Sequence, residues 1–466
     1  KKEKEENREV IVKYSPSKVI AKDEQRSFNG GYLFLQQIYH GLGLDRICKE
    51  IAKRHKFTFD LDSVLSRLLY ARIIYPSSKL ATFQLSKKFI EQPTFDLQHI
   101  YRALEVIAEE MDSIQSNLYA NSLRYSKRNT GVLYYDCTNY FFEIEQEDGL
   151  KQYGVSKEHR PNPIVQMGLF MDGDGIPLAF DINKGNTNEQ VTMKPLEKRI
   201  LSDFNLSRFI VCTDAGLASE DNRRFNDRGN RAFITTQSIK KLKEHLKDWA
   251  LNPEGWHSPD DNNIYDISKL DEEKHKDTVF YKERWIKEND FEQKLIVTYS
   301  IKYRDYQRAI RNSQIERAQK LIKSNNVKLK KSNPNDYKRL IAKTHCTDEG
   351  EVAKHTVYGI DNDLIAEEEV FDGFYGVCTN LDDDASAIIK INRRRWEIEE
   401  CFRIMKSEFK ARPVYLSRDD RIKAHFTTCF LALVLFRFLE KKLQEKYTFH
   451  EIIDGLREMN FLEIQG

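Results

Sequence analysis

Three acidic residues, far apart in the sequence, lie in the local contexts that metal-dependent phosphoryl transfer requires. Asp136 lies inside a hydrophobic segment, Asp214 ends a second one, and Glu399 lies in a predicted helix. A carboxylate in a buried strand is costly unless it is paired or binds a metal ion. Taken singly, each aspartate could equally be a capping or turn residue. Together the three form the set that holds two Mg²⁺ or Mn²⁺ ions for in-line phosphoryl displacement, and we predict them as catalytic metal ligands.

Two cations flank Glu399 in its predicted helix. Arg395, Glu399 and Lys406 follow the spacing i, i+4 and i+11, turned about 100° from an apolar stripe on the same helix. The stripe consists of Ile398, Phe402, Met405 and Phe409. Because Arg–Glu pairs at i, i+4 are common on helix surfaces, an ordinary salt-bridged face is the alternative interpretation of this helix alone.

Residues from about 25 to 128 have a helical pattern. After them, predicted strands and helices alternate, and these elements must position the three acidic residues. Predicted strands cover 131–142, 165–171, 176–182, 209–214, 232–236, 278–286, 294–300, 367–371 and 374–379. Predicted helices cover 61–74, 97–111, 188–201, the segment after 214 through 222, 303–343, 385–410 and 421–444. Residues 172–175, Asp-Gly-Asp-Gly, have the composition of a hairpin turn. The order predicts an α/β fold with a mixed sheet covered on both faces.

The charge of the chain is locally segregated. The formal net charge is only +2 over 466 residues, which excludes a uniformly basic surface. Positions 301 to 345 nevertheless hold thirteen Lys and Arg against three acids, and Arg304, Arg308 and Arg311 share one helical face. Such a stripe repels itself unless it is solvated or faces an anion, so a solvated helical hairpin is the alternative to a polyanion-binding surface.

The cysteine content and the apolar segments indicate in which cellular compartment the protein is expected. The seven cysteines show no CxxC spacing, which argues against a disulfide framework and a zinc site and favours a reducing cytosol. The charged segment Lys1–Asn7 lacks the apolar core of a signal peptide. The longest apolar run, 424–438, is shorter than the roughly 20 residues of a membrane span and is predicted to be a buried helix. We therefore expect a soluble protein.

Several ordered motifs resemble the DDE transposases of bacterial insertion sequences, in the branch with a Tyr-Arg-Glu-Lys signature. Arg395, Glu399 and Lys406 match that signature in residue and spacing, whereas Asn392 replaces its tyrosine. The blocks around Asp136 and Asp214 resemble those of the two family aspartates. Further similar segments are 154–161 with Gln166 and Gly168, Gly185-Asn-Thr187, and 412–415 with Arg421, Ile422, Ala424 and His425.

The resemblance, which covers roughly 130 to 440, implies a ribonuclease-H-like core interrupted by a β-rich insertion. The implied domains are a helical DNA-binding region (1–128), a first core part (129–236), an insertion (237–384), a second core part (385–420) and a helical C-terminal region with a possible dimerisation role (421–466). It also implies two Mg²⁺ or Mn²⁺ ions, double-stranded DNA (terminal inverted repeats and target) as partner, a homodimeric paired-end complex, and a cytoplasmic, nucleoid-associated location in bacteria.

The implied DNA contacts extend beyond the acidic residues. Arg395, Lys406 and the neighbouring Arg403 would hold phosphates, while Arg304, Arg308, Arg311 and other cations of 303–343 would add affinity without sequence preference. In relatives an inserted tryptophan stacks on a displaced base. Trp285 and Trp256 are the candidates here, with Trp285 preferred, although a tryptophan in a strand is more often a core residue.

The leading hypothesis is therefore a cut-and-paste transposase that binds terminal inverted repeats, cleaves DNA and joins 3′ ends to target DNA. A ribonuclease-H-like nuclease without strand transfer and a domesticated DNA-binding protein with vestigial acids are the alternatives. A tyrosine recombinase fits less well, because its chemistry needs clustered arginines and a nucleophilic tyrosine.

Overall fold

The structure is a computed structural model that describes residues 26–324, 336–346 and 355–463. Its helices are α1 (Tyr32–Gly41), α2 (Leu44–Arg54), α3 (Leu61–Ile74), α4 (Lys79–Ser86), α5 (Leu97–Glu109), α6 (Met111–Tyr125), α7 (Met193–Asp203), α8 (Glu220–Asn226), α9 (Glu244–Leu251), α10 (Ile301–Lys323), α11 (Asn362–Glu369), α12 (Ala385–Arg393), α13 (Trp396–Arg403), α14 (Asp419–Lys442) and α15 (Phe449–Glu458). A π-helical segment, Ile404–Glu408, follows α13 directly. Short 3₁₀ turns are Glu189–Val191, Ile239–Lys241, Ile267–Lys269 and Tyr337–Leu340.

The strands complete an α/β chain. They are β1 (Ser27–Asn29), β2 (Val132–Phe141), β3 (Ile164–Asp172), β4 (Pro177–Lys184), β5 (Phe209–Thr213), β6 (Arg231–Gln237), β7 (Trp256–His257), β8 (Ile264–Tyr265), β9 (Phe280–Glu288), β10 (Phe291–Tyr299), β11 (Ile341–Cys346), β12 (His355–Ile360), β13 (Phe374–Thr379) and β14 (Asn460–Leu462). The chain forms two compact units, Lys1–Phe209 with Arg395–Gly466 (unit 1) and Ile210–Arg394 (unit 2). The predicted five-domain division remains a prediction.

Unit 1 combines the N-terminal helices, an antiparallel meander and the C-terminal helices. β3 pairs with both β2 and β4, and the turn between β3 and β4 is the predicted hairpin turn. The core helix α14 packs against α1, α3, α5 and β4. It is long and apolar enough to cross a membrane by length and composition, but 94% of its most apolar window is buried inside the protein. That burial is typical of a core helix and agrees with the predicted buried helix.

Two buried ion pairs fix the meander within unit 1. Arg128 Nε donates to Asp172 Oδ2 at 2.6 Å, and both side chains are almost fully buried. Asp172 also accepts backbone N–H groups of the turn, which explains why this aspartate ends β3. Arg437 of α14 lies 3.6 Å from Glu397 of α13 and donates to the Gly175 carbonyl at 2.9 Å. The second contact ties α13, α14 and the turn together.

Unit 2 contains a sheet in the order β5-β6-β13-β10-β9-β7-β8 and a separate β11–β12 hairpin. β9 and β10 form an antiparallel pair from Phe280↔Tyr299 to Glu288↔Phe291, and β13 pairs antiparallel with both β10 and β6. Its core packs around Trp256, which is fully buried and donates its indole N–H to the Asn252 carbonyl at 3.0 Å.

Several predicted elements need correction. Within the predicted helical N-terminal part, the regularly spaced apolar residues between 33 and 51 belong to two helices, because Gly43 adopts a left-handed conformation (φ 66°) between α1 and α2. The predicted strand 367–371 is wrong, since α11 occupies 362–369. The predicted helix 303–343 ends at Lys323; residues 325–335 lie outside the described residues, and β11 begins at Ile341. The predicted helix 385–410 is interrupted at Arg394 and Arg395 and ends in the π-helical segment.

Candidate active site

Asp136 is the one half-buried position in the otherwise buried strand β2. Its neighbours Tyr135 and Cys137 point to the opposite face and are buried, as strand alternation requires. Asp136 Oδ1 accepts a hydrogen bond from the backbone N–H of Cys137 at 2.7 Å. The strand therefore holds one carboxylate at the edge of an apolar face.

Lys157 lies close to Asp136 within unit 1. Its ammonium donates to the carbonyl of Cys137 and forms an ion pair with Glu189 at 3.1 Å. Burial by itself lowers the pKa of Lys157, but Asp136 and Glu189 attract the charged form more strongly, so the pKa is raised. Lys157 is thus a permanent cation beside Asp136.

Lys406 approaches the same region from the π-helical segment. Its side chain is 14% exposed and its ammonium lies 3.8 Å from Glu158, which is also paired with Arg412. Burial and the charge of Lys157 together lower the pKa of Lys406 to about 8, and the opposing effect of Asp136 is smaller. Lys406 interacts electrostatically with both Lys157 and Asp136, so its charge contributes to the potential at Asp136.

Glu399 projects from α13, the helix that packs against β2. The predicted apolar stripe is confirmed, since Ile398, Phe402, Met405 and Phe409 are all buried. Glu399 itself is 60% exposed and forms an ion pair with Arg395 at 3.5 Å. The helix is anchored by the buried Glu397–Arg437 pair, which leaves Glu399 on the accessible face of unit 1.

Asp214 follows β5 in unit 2 and forms a tight turn. Its Oδ1 accepts the backbone N–H of Leu217 at 3.0 Å, and its carbonyl accepts the Thr235 hydroxyl at 3.3 Å. This is the arrangement of a turn aspartate, the alternative that the sequence left open. Within this turn only Oδ1 of Asp214 accepts a hydrogen bond. Asp214 could therefore hold the turn through Oδ1 and bind a metal ion through Oδ2.

The donor chemistry of Asp136, Asp214 and Glu399 suits a hard divalent cation. Across residues 26–324, 336–346 and 355–463, however, no grouping of three or more His, Cys, Asp or Glu side chains could hold a metal ion. The predicted role of these three residues as metal ligands therefore stays a prediction.

The predicted arginine stripe on α10 is largely neutralised by carboxylates of unit 2. Arg311 is 6% exposed and forms a two-point contact with Asp372, one arm of which measures 2.9 Å. Arg304 donates to Glu272 at 2.7 Å and to Asp305 at 2.9 Å. Arg308 is 49% exposed, with its Nε 3.5 Å from Asp372. The anions that this stripe faces are protein side chains, and Arg308 is its most accessible member.

Other predicted DNA contacts have mixed surroundings. Arg403 donates to Glu400 at 2.7 and 2.6 Å and to Glu408 at 2.8 Å, so its charge is balanced on its own helical segment. Trp285 on β9 is 43% exposed, whereas Trp256 is a core residue. Of the two tryptophans, only Trp285 presents a surface on which a base could stack.

Asn392, which replaces the signature tyrosine, is 6% exposed in unit 2. Its amide donates to the hydroxyl of Tyr375 at 3.1 Å, and that hydroxyl also lies 2.6 Å from Thr236 Oγ1. Asn392 is therefore part of a buried polar contact rather than a free surface group.

Sequence reasoning did not single out Lys157, Glu158 or Glu189 as site residues. The first two lie inside the similar segment 154–161, and Glu189 closely follows the similar Gly185-Asn-Thr187. These two motifs were the sequence features from which the three residues could have been identified. The sequence alone does not show that Lys157 lies beside Asp136, because 21 positions separate the two residues.

One family model matches part of the chain. Residues 292–435 match the family model described as a transposase DDE domain, a match that includes Glu399, Arg395 and Lys406 but not Asp136 or Asp214. It supports, in general terms, a DNA transposase. No curated protein matches the chain.

Among solved structures, the chain is similar to piggyBac transposase in a cryo-EM structure of its synaptic complex with hairpin DNA. The TM-score is 0.43 and the sequence identity 8%, over 93% of this chain and 82% of that one. Similarity at this level does not define a shared site.

Proposed function

We propose that this chain is a DNA transposase that binds transposon terminal inverted repeats, cleaves DNA and joins the 3′ ends to target DNA. The observation that carries the proposal is the packing of the Glu399 helix α13 against the Asp136 strand β2, in a chain whose 292–435 segment matches a transposase DDE domain. The proposal includes a ribonuclease-H-like core, an insertion-sequence origin, a homodimeric paired-end complex and a cytoplasmic, nucleoid-associated location in bacteria.

We assign different roles in DNA cleavage and DNA binding to different residues of the chain. Asp136, Asp214 and Glu399 would hold two Mg²⁺ or Mn²⁺ ions, which supply nucleophile activation and leaving-group stabilisation when bound. Lys157 and Lys406 place positive charge beside Asp136, where a phosphate would be attracted and oriented. Arg395 holds Glu399 in place from one helical turn away. Trp285 offers an exposed ring to an unpaired base.

Asp136→Asn tests the catalytic assignment. The change preserves shape and removes a ligand charge, so we expect DNA binding to persist and Mg²⁺-dependent cleavage of the cognate ends to fall by at least about a hundredfold. The ends are first identified by sequencing DNA recovered with the protein. Mn²⁺ binding followed by electron paramagnetic resonance gives a readout independent of activity. Wild-type cleavage by this variant would show that Asp136 is not a metal ligand.

Glu399→Gln has a matched control in the adjacent Glu400→Gln, since Glu400 lies on the same helix and pairs with Arg403 instead. We expect loss of cleavage in the first variant and near-normal cleavage in the second. Equal effects in both would assign the loss to the helix surface rather than to a ligand. Joined products from a pre-cut end separate a transposase from a nuclease without strand transfer.

A further inference from the structure

A cavity of about 390 Å³ lies within unit 1, apart from the residues discussed above as metal ligands. Its walls combine cations with apolar side chains. The lining residues used below are Arg72, Ser78, Lys79, Lys410, Arg412 and His425. No carboxylate lines this cavity in the described part of unit 1. Arg412 is paired with Glu158 outside the lining, so Arg72, Lys79 and Lys410 are the cations that could attract an anion into this pocket.

Lys79 is the most unusual of these side chains. It is 7% exposed, and its ammonium has no hydrogen bond or ion pair to any residue within 26–324, 336–346 and 355–463. Burial, reinforced by the nearby charge of Arg72, lowers the pKa of Lys79 to about 7. Buried charged groups are normally paired, because removing them from water is costly. When protonated, Lys79 is a buried cation without a counterion among the described residues.

The groups around Lys79 also favour an anion. Arg72 is 5% exposed and donates to the carbonyls of Phe409 at 2.9 Å and Ser77 at 3.3 Å, while its buried Nε has no partner among the described residues. His425 is buried, and its pKa is well below the ordinary value because of burial and the charges of Arg72 and Lys79. The His425 side chain is therefore neutral, and the positive charges of Arg72 and Lys79 are part of the reason.

The eight-residue helix α4 begins at this cavity. Ser78 caps it by accepting the Ala81 N–H at 3.2 Å, and Lys79 is its first residue. The N-terminal end of a helix carries partial positive charge from unpaired N–H groups. The helix end, Lys79 and Arg72 thus place positive charge around the same cavity.

We propose that this Lys79 cavity binds a phosphate group, with Lys79 and Arg72 as its main charged contacts. The inference does not depend on the proposed transposase activity. The phosphate could be part of a DNA strand or of a free nucleotide, which share the same recognition chemistry. Binding would supply the counterion that the cavity lacks.

Calorimetry of the full chain with sulfate, an oxyanion that does not titrate near neutral pH, tests the proposal. We expect Lys79→Met to weaken sulfate binding at least about tenfold, because a charge-assisted contact is lost. Lys88→Met is the matched control, since Lys88 is exposed just beyond the same helix. Equal binding by wild type and Lys79→Met, or no saturable binding by wild type, would overturn the proposal.

A second measurement needs only the wild-type chain. Near pH 8 Lys79 is mostly neutral in the free protein, so an anion bound beside it draws a proton onto the amine. Sulfate binding is then expected to take up a substantial fraction of one proton, measured as a dependence of the binding enthalpy on the ionisation enthalpy of the buffer. The other titratable groups that line the cavity or interact with the amine are Arg72, Tyr101, Lys410, Arg412, Tyr415, His425 and Cys429. Saturable binding without proton uptake would contradict the assignment to Lys79.

Competition identifies the source of the phosphate. A short single strand with a 5′-phosphate, the same strand with a 5′-hydroxyl, and a nucleoside monophosphate are each titrated against sulfate. Stronger competition by the 5′-phosphorylated strand assigns the cavity to a DNA end, and stronger competition by the monophosphate assigns it to a free nucleotide. Failure of all three to displace sulfate would overturn the phosphate assignment. Asp136→Asn is expected to bind sulfate normally, so a failed cleavage assay and a failed cavity assay are separable.

Discussion

Two clusters of positive charge in this chain have opposite surroundings. The arginines of α10 in unit 2 face Asp372, Glu272 and Asp305, so a conspicuous basic stripe is mostly neutralised within its own unit. In the Lys79 cavity of unit 1, Arg72 donates to carbonyls and Lys79 has no charged partner among the described residues, and of the cavity cations only Arg412 is paired with a carboxylate, Glu158, which lies outside the lining. The comparison teaches that a high density of basic residues in a sequence segment does not show how much of their charge is free to bind an external anion. What matters is which acids the fold brings to each cation.

The largest expected effect concerns the buried Arg311–Asp372 pair. Asp372→Asn leaves the Arg311 guanidinium buried with only a more distant carboxylate, Glu369 at 3.6 Å, so we expect a loss of about 3 kcal/mol in unfolding free energy. Urea denaturation measures it. Glu272→Gln removes an exposed partner of Arg304, and we expect a much smaller loss because solvent screens that pair. Similar losses in both variants would mean that the two arginines are equally solvated.

In the Lys79 cavity, the arginine is expected to matter more for folding than the lysine. Arg72→Met removes the donors to the Phe409 and Ser77 carbonyls, and we expect a loss of about 1–3 kcal/mol. Lys79→Met removes a buried cation without breaking a hydrogen bond, and in anion-free buffer we expect it to be as stable as wild type or more so. A clear destabilisation by Lys79→Met would reveal a hidden stabilising contact.

The stability difference between wild type and Lys79→Met is expected to depend on pH. The pKa of Lys79 is lowered to about 7 in the folded state, from an ordinary value of 10.5. Between these values the unfolded chain binds more protons, so wild-type stability rises with pH relative to the variant. The slope is limited to about 1.4 kcal/mol per pH unit, and it vanishes well below pH 7. Unfolding curves at pH 6, 8 and 10 in anion-free buffer measure the slope, and a pH-independent difference would show that the pKa of Lys79 is ordinary.

The smallest expected effect concerns DNA affinity at Arg308. Arg308→Gln is expected to weaken binding equally for cognate and random duplexes, and to flatten the dependence of log affinity on log salt by about one unit. Arg304→Gln is expected to leave the slope unchanged, because Glu272 and Asp305 already neutralise that residue. Salt titrations of both variants measure this. An unchanged slope for Arg308→Gln would make the whole stripe a solvated face.

Local patterns in the sequence sufficed for most of the regular elements. Runs rich in apolar, β-branched and aromatic residues predicted β2, β3, β4 and β10, and helix α3 begins and ends where the sequence predicted, just before Pro76. The strand 367–371 was predicted wrongly because only Val370 and Phe371 are apolar, and the three glutamates before them complete the helix α11. The break at Arg394 and Arg395 and the π-helical turn after α13 depend on packing, so helical periodicity could not show them.

The sequence by itself determined the candidate acids Asp136, Asp214 and Glu399, and the stripe that buries α13. It could not determine which charges compensate each other, since Arg311 and Asp372 are 61 residues apart. Nor did it distinguish Lys79, which in Pro-Ser-Ser-Lys-Leu has the appearance of an ordinary exposed lysine at a helix start. Only the tertiary structure buries that amine among Arg72 and His425. The physical reason is that secondary structure follows from neighbours in sequence, whereas the solvation and pairing of a charge follow from neighbours in space.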